Sequence, residues 1–209
     1  MGLFVTFEGP EGSGKSTQAR LLVEWLRRQG VHVIATREPG GTAIGDRIRA
    51  VLLDPELHNM TAEAEVLLFS ASRAQLVREV ILPHLQAGGV VVCDRFADST
   101  YAYQGYGRGL SLEQLRQITQ FATGGLEPDL TFLIDVPVEA GLERKRNGSG
   151  ADDWNRMEQQ VLEYHKRVRA GYLKLAEQSP ERWVVLDGRE PIEVIQSRIR
   201  EHVKVRLGI

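Results

Sequence analysis

Cysteine is almost missing from this 209-residue chain. Cys93 stands alone, so no internal disulfide can form, which suits a reducing compartment. It sits inside an apolar run and reads as an inert buried thiol rather than a nucleophile. An excess of one charge is missing too: the formal net charge of −2 gives no electrostatic basis for binding nucleic acid or an anionic membrane. No apolar run approaches the length of a membrane span. The first residues lack a basic region followed by an apolar one, because Glu8 breaks the run at once, so no leader is expected. The five histidines have no metal-ligand spacing, and no repeat or low-complexity segment is visible. The expectation is a cytoplasmic protein with neither nucleic-acid nor membrane partners.

What is there is globular. Hydrophobic residues make up 42% and charged residues 26%, and the length fits one α/β domain over 1–209. Strand-like and helix-like stretches alternate, which argues for a parallel sheet covered by helices. The strands are read at 3–7, 31–36, 90–94, 130–135 and 183–187. Helices are read at 17–29, 43–53, 62–82, 111–123, 138–146, 154–177 and 192–206, with Thr61 and Ser111 as N-caps. Pro83 should start a turn or a kink. Five strands with helical crossovers give a doubly wound sheet with right-handed connections.

The chain is organised around Gly9-Pro10-Glu11-Gly12-Ser13-Gly14-Lys15-Ser16, followed by Thr17. The stretch fits the phosphate-loop pattern G-x-x-x-x-G-K-[ST], between an apolar strand and an amphipathic helix. The glycines let several backbone N–H groups point inward, and with the helix N-terminus they form a cradle for phosphate oxygens. Lys15 adds a mobile charge for the β- and γ-phosphates, and Ser16 offers a hydroxyl to Mg²⁺. A nucleoside triphosphate is the implied ligand.

Other candidates follow from position. Val90 to Cys93 is a continuous apolar run ending in Asp94, as for a central parallel strand, so Asp94 and Arg95 should face the same crevice as the phosphate loop. Ser16 and Asp94 are the candidate metal ligands. Arg37 opens a Pro-Gly-Gly loop after the second strand. Val66, Phe69, Ser70, Arg73 and Val77 share one helical face. Phe69 alone reads as core, but Arg73 on the same face turns that reading toward a pocket. Residues 96–109 are rich in Tyr and Gly, with little to bury and much to offer a ligand. Arg144-Lys145-Arg146 runs into Asn147-Gly148-Ser149-Gly150, either a solvated helix end or a mobile flap at about 144–153.

Taken together these motifs make the chain resemble the bacterial thymidylate kinases, from Phe4 to about Leu186. The phosphate loop alone is shared by a superfamily. Arg37-Glu38-Pro39-Gly40-Gly41-Thr42, Phe69 to Arg73, Asp94-Arg95-Phe96, Ser99-Thr100 and Ala102-Tyr103-Gln104-Gly105 are similar to that family's own signatures. The resemblance implies a P-loop kinase fold with sheet order 2-3-1-4-5. It also implies Mg²⁺- and ATP-dependent phosphorylation of dTMP to dTDP, and a homodimer. Apolar residues on more than one face of the 62–82 helix, with the resemblance, place the twofold interface there. Roles are implied as well. Arg37 and Arg95 would hold the acceptor phosphate. Phe69 would stack on thymine, Arg73 and Thr100 would read its edge, and Ser99 and Gln104 belong to the same stretch. Tyr103 would pack near the sugar 2′ carbon, and Glu11 near the 3′-hydroxyl or a metal-bound water. A catalytic cation would come from the flap, with Arg144 and Arg146 both open. Because a mismatched cytosine would leave the Arg73 charge unpaired, dCMP should lose a factor on the order of 10⁴.

Other classes leave marks that are missing. A regulatory GTPase needs an N-K-x-D motif after a strand, and the chain has none. A non-catalytic ATP-binding module would not need a second anion site, against which Arg37 and Arg95 argue. A kinase for another deoxynucleoside monophosphate is the nearest alternative.

Overall fold

The computed structural model describes residues 2–147, 155–157 and 159–209. Five strands form one parallel sheet: β1 (Leu3–Glu8), β2 (Val33–Arg37), β3 (Val90–Asp94), β4 (Leu130–Asp135) and β5 (Trp183–Asp187). Their order is β2-β3-β1-β4-β5, as expected, and every pair is parallel. The central strands are apolar on both faces because helices cover both. Phe4, Val5, Phe7, Val91, Cys93, Phe132 and Leu133 are at or near zero exposure. One core lies between the sheet and α1 (Lys15–Arg28) with α9 (Ile192–Leu207); there Leu22, Leu26, Ile199 and Val203 meet Val5, Phe7 and Phe132. The opposite face packs Phe4 and Val91 against Leu76, Val77 and Ile81.

Parallel pairing puts the C-terminal ends of the strands at one edge. Phe7 is in register with Asp94, and Arg37 with Asp94, so the phosphate loop after β1, the Arg37 loop and the Asp94-Arg95 turn emerge side by side. α2 (Ala43–Leu53) follows Thr42, whose hydroxyl accepts from Gly45 N. α3 (Ala62–Leu76) is capped by Thr61, and α6 (Leu112–Thr123) by Ser111.

Several boundaries differ from expectation. The 62–82 helix is not uniform: after α3 it widens into a π-type segment at Val77–Ile81 and continues as α4 (Leu82–Gln86). Pro83 starts no turn; the helical chain runs through it into α4, directly after the π-type segment. Residues 96–109 form α5 (Ala97–Thr100) and a second π-type segment, Tyr101–Gly107. Far from having little to bury, this stretch buries Ala102, Tyr103, Gln104, Gly105 and Gly107. The reason is α8 (Leu162–Gln178), which lies across it. A Cβ on Gly107 would meet Tyr164 and Val168, and one on Gly171 would meet Tyr106, so glycine on each side allows the close approach. α8 begins at Leu162 rather than 154, and residues 155–157 are non-helical. α7 (Val138–Asn147) ends the described part of the expected flap; residues 148–153 lie outside the described residues.

Candidate active site

The strand ends open onto a cleft of about 1110 Å³. On one wall the loop residues Gly12, Ser13, Gly14, Lys15, Ser16 and Thr17 line it, with Glu11 at the loop's edge. Gly14 stands at φ 98 and Gly12 at φ 65, which L side chains rarely adopt. A Cβ on Gly12 would also run into the carbonyl of Gly141, so the loop is seated directly on α7. Gly9 and Pro10 do not line the cleft; their carbonyls accept from Arg95 Nη1 at 3.2 Å and Lys15 Nζ at 2.7 Å. Burial, then the Arg95 charge, bring the Lys15 ammonium down to about 8. Ser16 Oγ donates to the Asp94 carboxylate, which joins the two expected metal ligands.

Arg95 occupies the floor. Its backbone is left-handed, at φ 69, the one non-glycine residue in that region among the described residues. Such a conformation costs about 1–3 kcal/mol and persists where the surroundings over-determine it. Here Nη2 donates to Glu11 Oε1 at 2.8 Å and Tyr103 Oη at 2.9 Å, and Nη1 to Tyr172 Oη at 3.0 Å and Ser99 Oγ at 3.4 Å. The guanidinium also stacks on the Tyr103 ring, 4.9 Å from its centroid. Burial pushes the Glu11 carboxyl up, but Arg95, Lys15 and the Tyr103 hydroxyl outweigh it and hold the group at about 2.

The far wall carries Phe69, Thr100, Tyr103 and Gln104. Val66, Ser70, Arg73 and Val77 are buried as their shared face requires, and Phe69 is half-buried at the cleft. Arg73 is 1% exposed and locked, and it is not among the residues that line the cleft; it stands behind Thr100, which does. Its Nε and Nη2 donate to Glu38, Nη2 also to the Phe96 carbonyl at 3.2 Å, and Nη1 to Thr100 Oγ1 at 3.0 Å. Glu38 keeps the guanidinium charged, while burial pushes the Glu38 carboxyl up. Gln104 Nε2 donates to the buried Glu65, which also pairs with Arg108 and Arg156.

Arg37 and Arg144 line the cleft; Arg37 is well exposed, 3.9 Å from Asp46, and Arg144 Nη1 donates to the Gly188 carbonyl at 2.8 Å. Lys145 lines it too, whereas Arg146 is not among the lining residues. Three residues escaped the reading of the sequence. Arg49 on α2 joins the cationic lining, and its guanidinium is made less basic by burial and by Arg37. It stands three residues after Asp46 on the helix that follows the Arg37 loop, the only hint available. Glu38 lay inside a recognised motif but had no role. Glu8 was seen as a break in an apolar strand; it is fully buried.

Among the described residues no group of three or more His, Cys, Asp or Glu side chains could hold a metal by itself. A hydroxyl beside a carboxylate at a phosphate loop fits Mg²⁺ nonetheless, since that ion is usually held by one or two protein oxygens together with substrate phosphates and water. No helix among the described residues is long and apolar enough to cross a membrane.

The comparisons agree with one another. The family model for thymidylate kinase matches residues 7–199. A thymidylate kinase of Roseiflexus castenholzii is 59% identical, with 100% of this chain and 95% of that protein covered. One from Roseiflexus sp. strain RS-1 is 58% identical over 95% of this chain and 92% of its own length. The crystal structure of thymidylate kinase from Ehrlichia chaffeensis superimposes with a TM-score of 0.78 at 33% identity, covering 97% of this chain and 98% of that one. A phosphate loop and a second cationic floor sharing one cleft, and relatives this similar over their whole length, place the chain in the thymidylate kinase family.

Proposed function

We infer that this protein transfers the γ-phosphoryl group of ATP to dTMP, giving ADP and dTDP. The observation that carries it is the single cleft that holds Lys15 on one side of Glu11 and Arg95 on the other. Two anionic substrates need two cation sets at phosphoryl-transfer distance, and a simple ATP-binding module needs one.

ATP takes the phosphate loop, with the N–H groups of residues 12–17 on its phosphates and Lys15 on the β- and γ-oxygens. Contact with phosphate draws Lys15 off the Pro10 carbonyl and restores its ordinary basicity. Ser16 and Asp94 hold Mg²⁺, which neutralises charge on the phosphates when bound. The dTMP base lies on Phe69, its edge against Arg73 and Thr100, with Ser99 and Gln104 completing the wall. Its phosphate lies toward Arg37, Arg49 and Arg95. Glu11, anionic at any ordinary pH, orients Arg95 and Tyr103.

The acceptor phosphate has a second pKa of about 6, so it is already a dianion and needs no general base. One of its oxygens attacks the γ-phosphorus as the bond to the ADP oxygen breaks. Charge spreads over the equatorial oxygens, and the protein's contribution is positioning and positive charge. Arg144 and Arg146 are the flap cations; Arg144 is favoured because it already lines the cleft beside α7's contact with the phosphate loop.

A homodimer is part of the proposal. Leu67 on α3 is 59% exposed and Phe121 on the adjoining α6 is 90% exposed. Ile44 and Val51 on α2, which packs beside α3, are exposed too. An apolar surface of this kind across three neighbouring helices suits an isologous interface.

Coupled ADP release, measured across dTMP, dUMP, dCMP, dGMP and thymidine, tests the activity. The expected result is turnover fastest on dTMP and absent on thymidine. Equal turnover on dGMP, or turnover of thymidine, would remove the reading.

A further inference from the structure

Glu8 has no part in the chemistry above, yet it is a fully enclosed acid bonded to residues of the acceptor side. It lies at the C-terminal end of β1, 0% exposed. Oε1 accepts the Phe96 N–H at 2.8 Å. Oε2 accepts the Ser99 hydroxyl at 2.6 Å and the Tyr172 hydroxyl at 2.8 Å. Those two oxygens, 2.8 Å apart, receive Arg95 Nη1 together with the Gly9 carbonyl. Three elements meet here: β1, α5 with the turn before it, and α8.

Each hydroxyl has one proton and two lone pairs. With Glu8 as a carboxylate, both protons are drawn toward Oε2 and the lone pairs face Nη1. A proton on Oε2 makes that atom a donor. It occupies a hydroxyl lone pair and removes the negative charge beneath the guanidinium. Arg95 has a left-handed backbone and depends on such contacts to keep its orientation.

We propose that Glu8 is a positioning residue for acceptor-phosphate binding, holding Arg95 in place through the Ser99 and Tyr172 hydroxyls. The inference rests on the reading of Arg95 as a ligand of the dTMP phosphate. Its proton is poised to matter in the working range. Burial, and then the Asp98 carboxylate, raise Glu8 to about 7, against the pull of Arg95, Ser99 and the Phe96 N–H. Asp98 is itself paired with Arg182 at 2.8 Å. Lys15, Arg73 and Cys93 also feel the Glu8 charge, from α1, α3 and β3.

The test measures dTMP and thymidine affinity from pH 6 to pH 8.5 in the wild-type protein and in Glu8→Gln, a range on either side of the value near 7. Taking the ratio of variant to wild-type dissociation constants cancels the titration of dTMP itself. For dTMP the ratio is expected to be roughly tenfold or more above pH 8, as for a lost contact to a charged group, and to fall toward unity at pH 6, where wild-type Glu8 is protonated too. For thymidine it should stay near unity throughout. Tyr172→Phe removes one of the two relay hydroxyls, that of a residue which does not line the cleft, and leaves the carboxylate in place; this variant should weaken dTMP and not thymidine. It also keeps the test open if Glu8→Gln does not fold. A pH-independent ratio, tighter dTMP binding by Glu8→Gln at high pH, or wild-type discrimination in Tyr172→Phe each overturns the inference. Wild-type protein that binds dTMP no better than thymidine overturns instead the reading of the acceptor site on which it rests.

Discussion

Arg95 Nη2 donates to Glu11 Oε1 at 2.8 Å, and the same oxygen accepts the Tyr103 hydroxyl at 2.6 Å. One carboxylate oxygen from the phosphate loop thus fixes two side chains of the acceptor side. The donor and acceptor halves of the cleft are coupled through it.

Arg95→Ala should therefore lower kcat/KM for dTMP by an amount equivalent to about 3 kcal/mol, the order of one lost charge-assisted contact at a centre of developing charge. Thymidine, without a phosphate, should bind nearly as before. Equal losses for both ligands would show that Arg95 acts only by holding Glu11 and Tyr103.

Lys15→Ala should abolish turnover and leave the fold intact. The side chain is buried, but its partners are the Pro10 carbonyl and Ser13 hydroxyl of its own loop, and it touches no core cluster. Thermal unfolding and single-turnover rates measured on one preparation decide this. Residual wild-type turnover in a folded variant would contradict it.

The strands were legible because each is a short apolar run, and Val90 to Asp94 shows how an acid ends one at the ligand edge. The phosphate loop and the Asp94-Arg95 turn could be placed together for the same reason. What stayed hidden was the set of partners. Glu8 and Tyr172 meet across 164 positions, and no local pattern announces such a pair. Residues 96–109 read from their composition as having little to bury and much to offer a ligand; Ser99, Thr100, Tyr103 and Gln104 do line the cleft, but over 101–107 the tyrosine and glycine content also serves close packing against α8. Arg73 was readable as a polar residue on an apolar face, but not as a charge already neutralised by Glu38.

That neutralisation has a cost if broken. Arg73 and Glu38 side chains are 1% and 3% exposed. Glu38→Ala leaves a buried guanidinium with only neutral acceptors, and unfolding in urea should show a loss of about 3–5 kcal/mol. A change below about 1 kcal/mol, the range of an exposed pair, would mean that Arg73 finds solvent or a new partner.

Phe121→Glu should convert a dimer into a monomer. Phe121 is 90% exposed in the single chain, so the charge costs that chain nothing, whereas at an apolar interface it would be desolvated. Sedimentation velocity on both proteins at micromolar concentration reads the outcome. A wild-type monomer, or a variant that stays dimeric, rejects this surface as the interface.

Base selection follows from the donors of Arg73. Guanidinium has five N–H bonds. Nε is used by Glu38, both hydrogens of Nη2 by Glu38 and the Phe96 carbonyl, and one of Nη1 by Thr100. One Nη1 hydrogen is left over, and in the proposed reading, with the base against Thr100, the O4 carbonyl of thymine accepts it. Cytosine offers an amino group there. Since Glu38 already balances the charge, the mismatch strands one N–H rather than an unpaired cation. Its cost is about 1–3 kcal/mol, roughly tenfold to a hundredfold, not the 10⁴ expected for an uncompensated charge. Thr100 does not add to it, because its hydroxyl can accept from thymine N3–H or donate to cytosine N3. Uracil keeps O4 and lacks only the methyl, which costs about 1–3 kcal/mol. Cytosine lacks both, so the penalties combine and dCMP falls below dUMP. Tyr103 is held by Glu11 and packed on Tyr164 and Tyr172, so it cannot retreat from a ribose 2′-hydroxyl, and UMP should fall below dUMP. The kcat/KM order is thus dTMP, dUMP, dCMP, with UMP beneath dUMP. If dCMP is used as well as dTMP, Arg73 does not read the base.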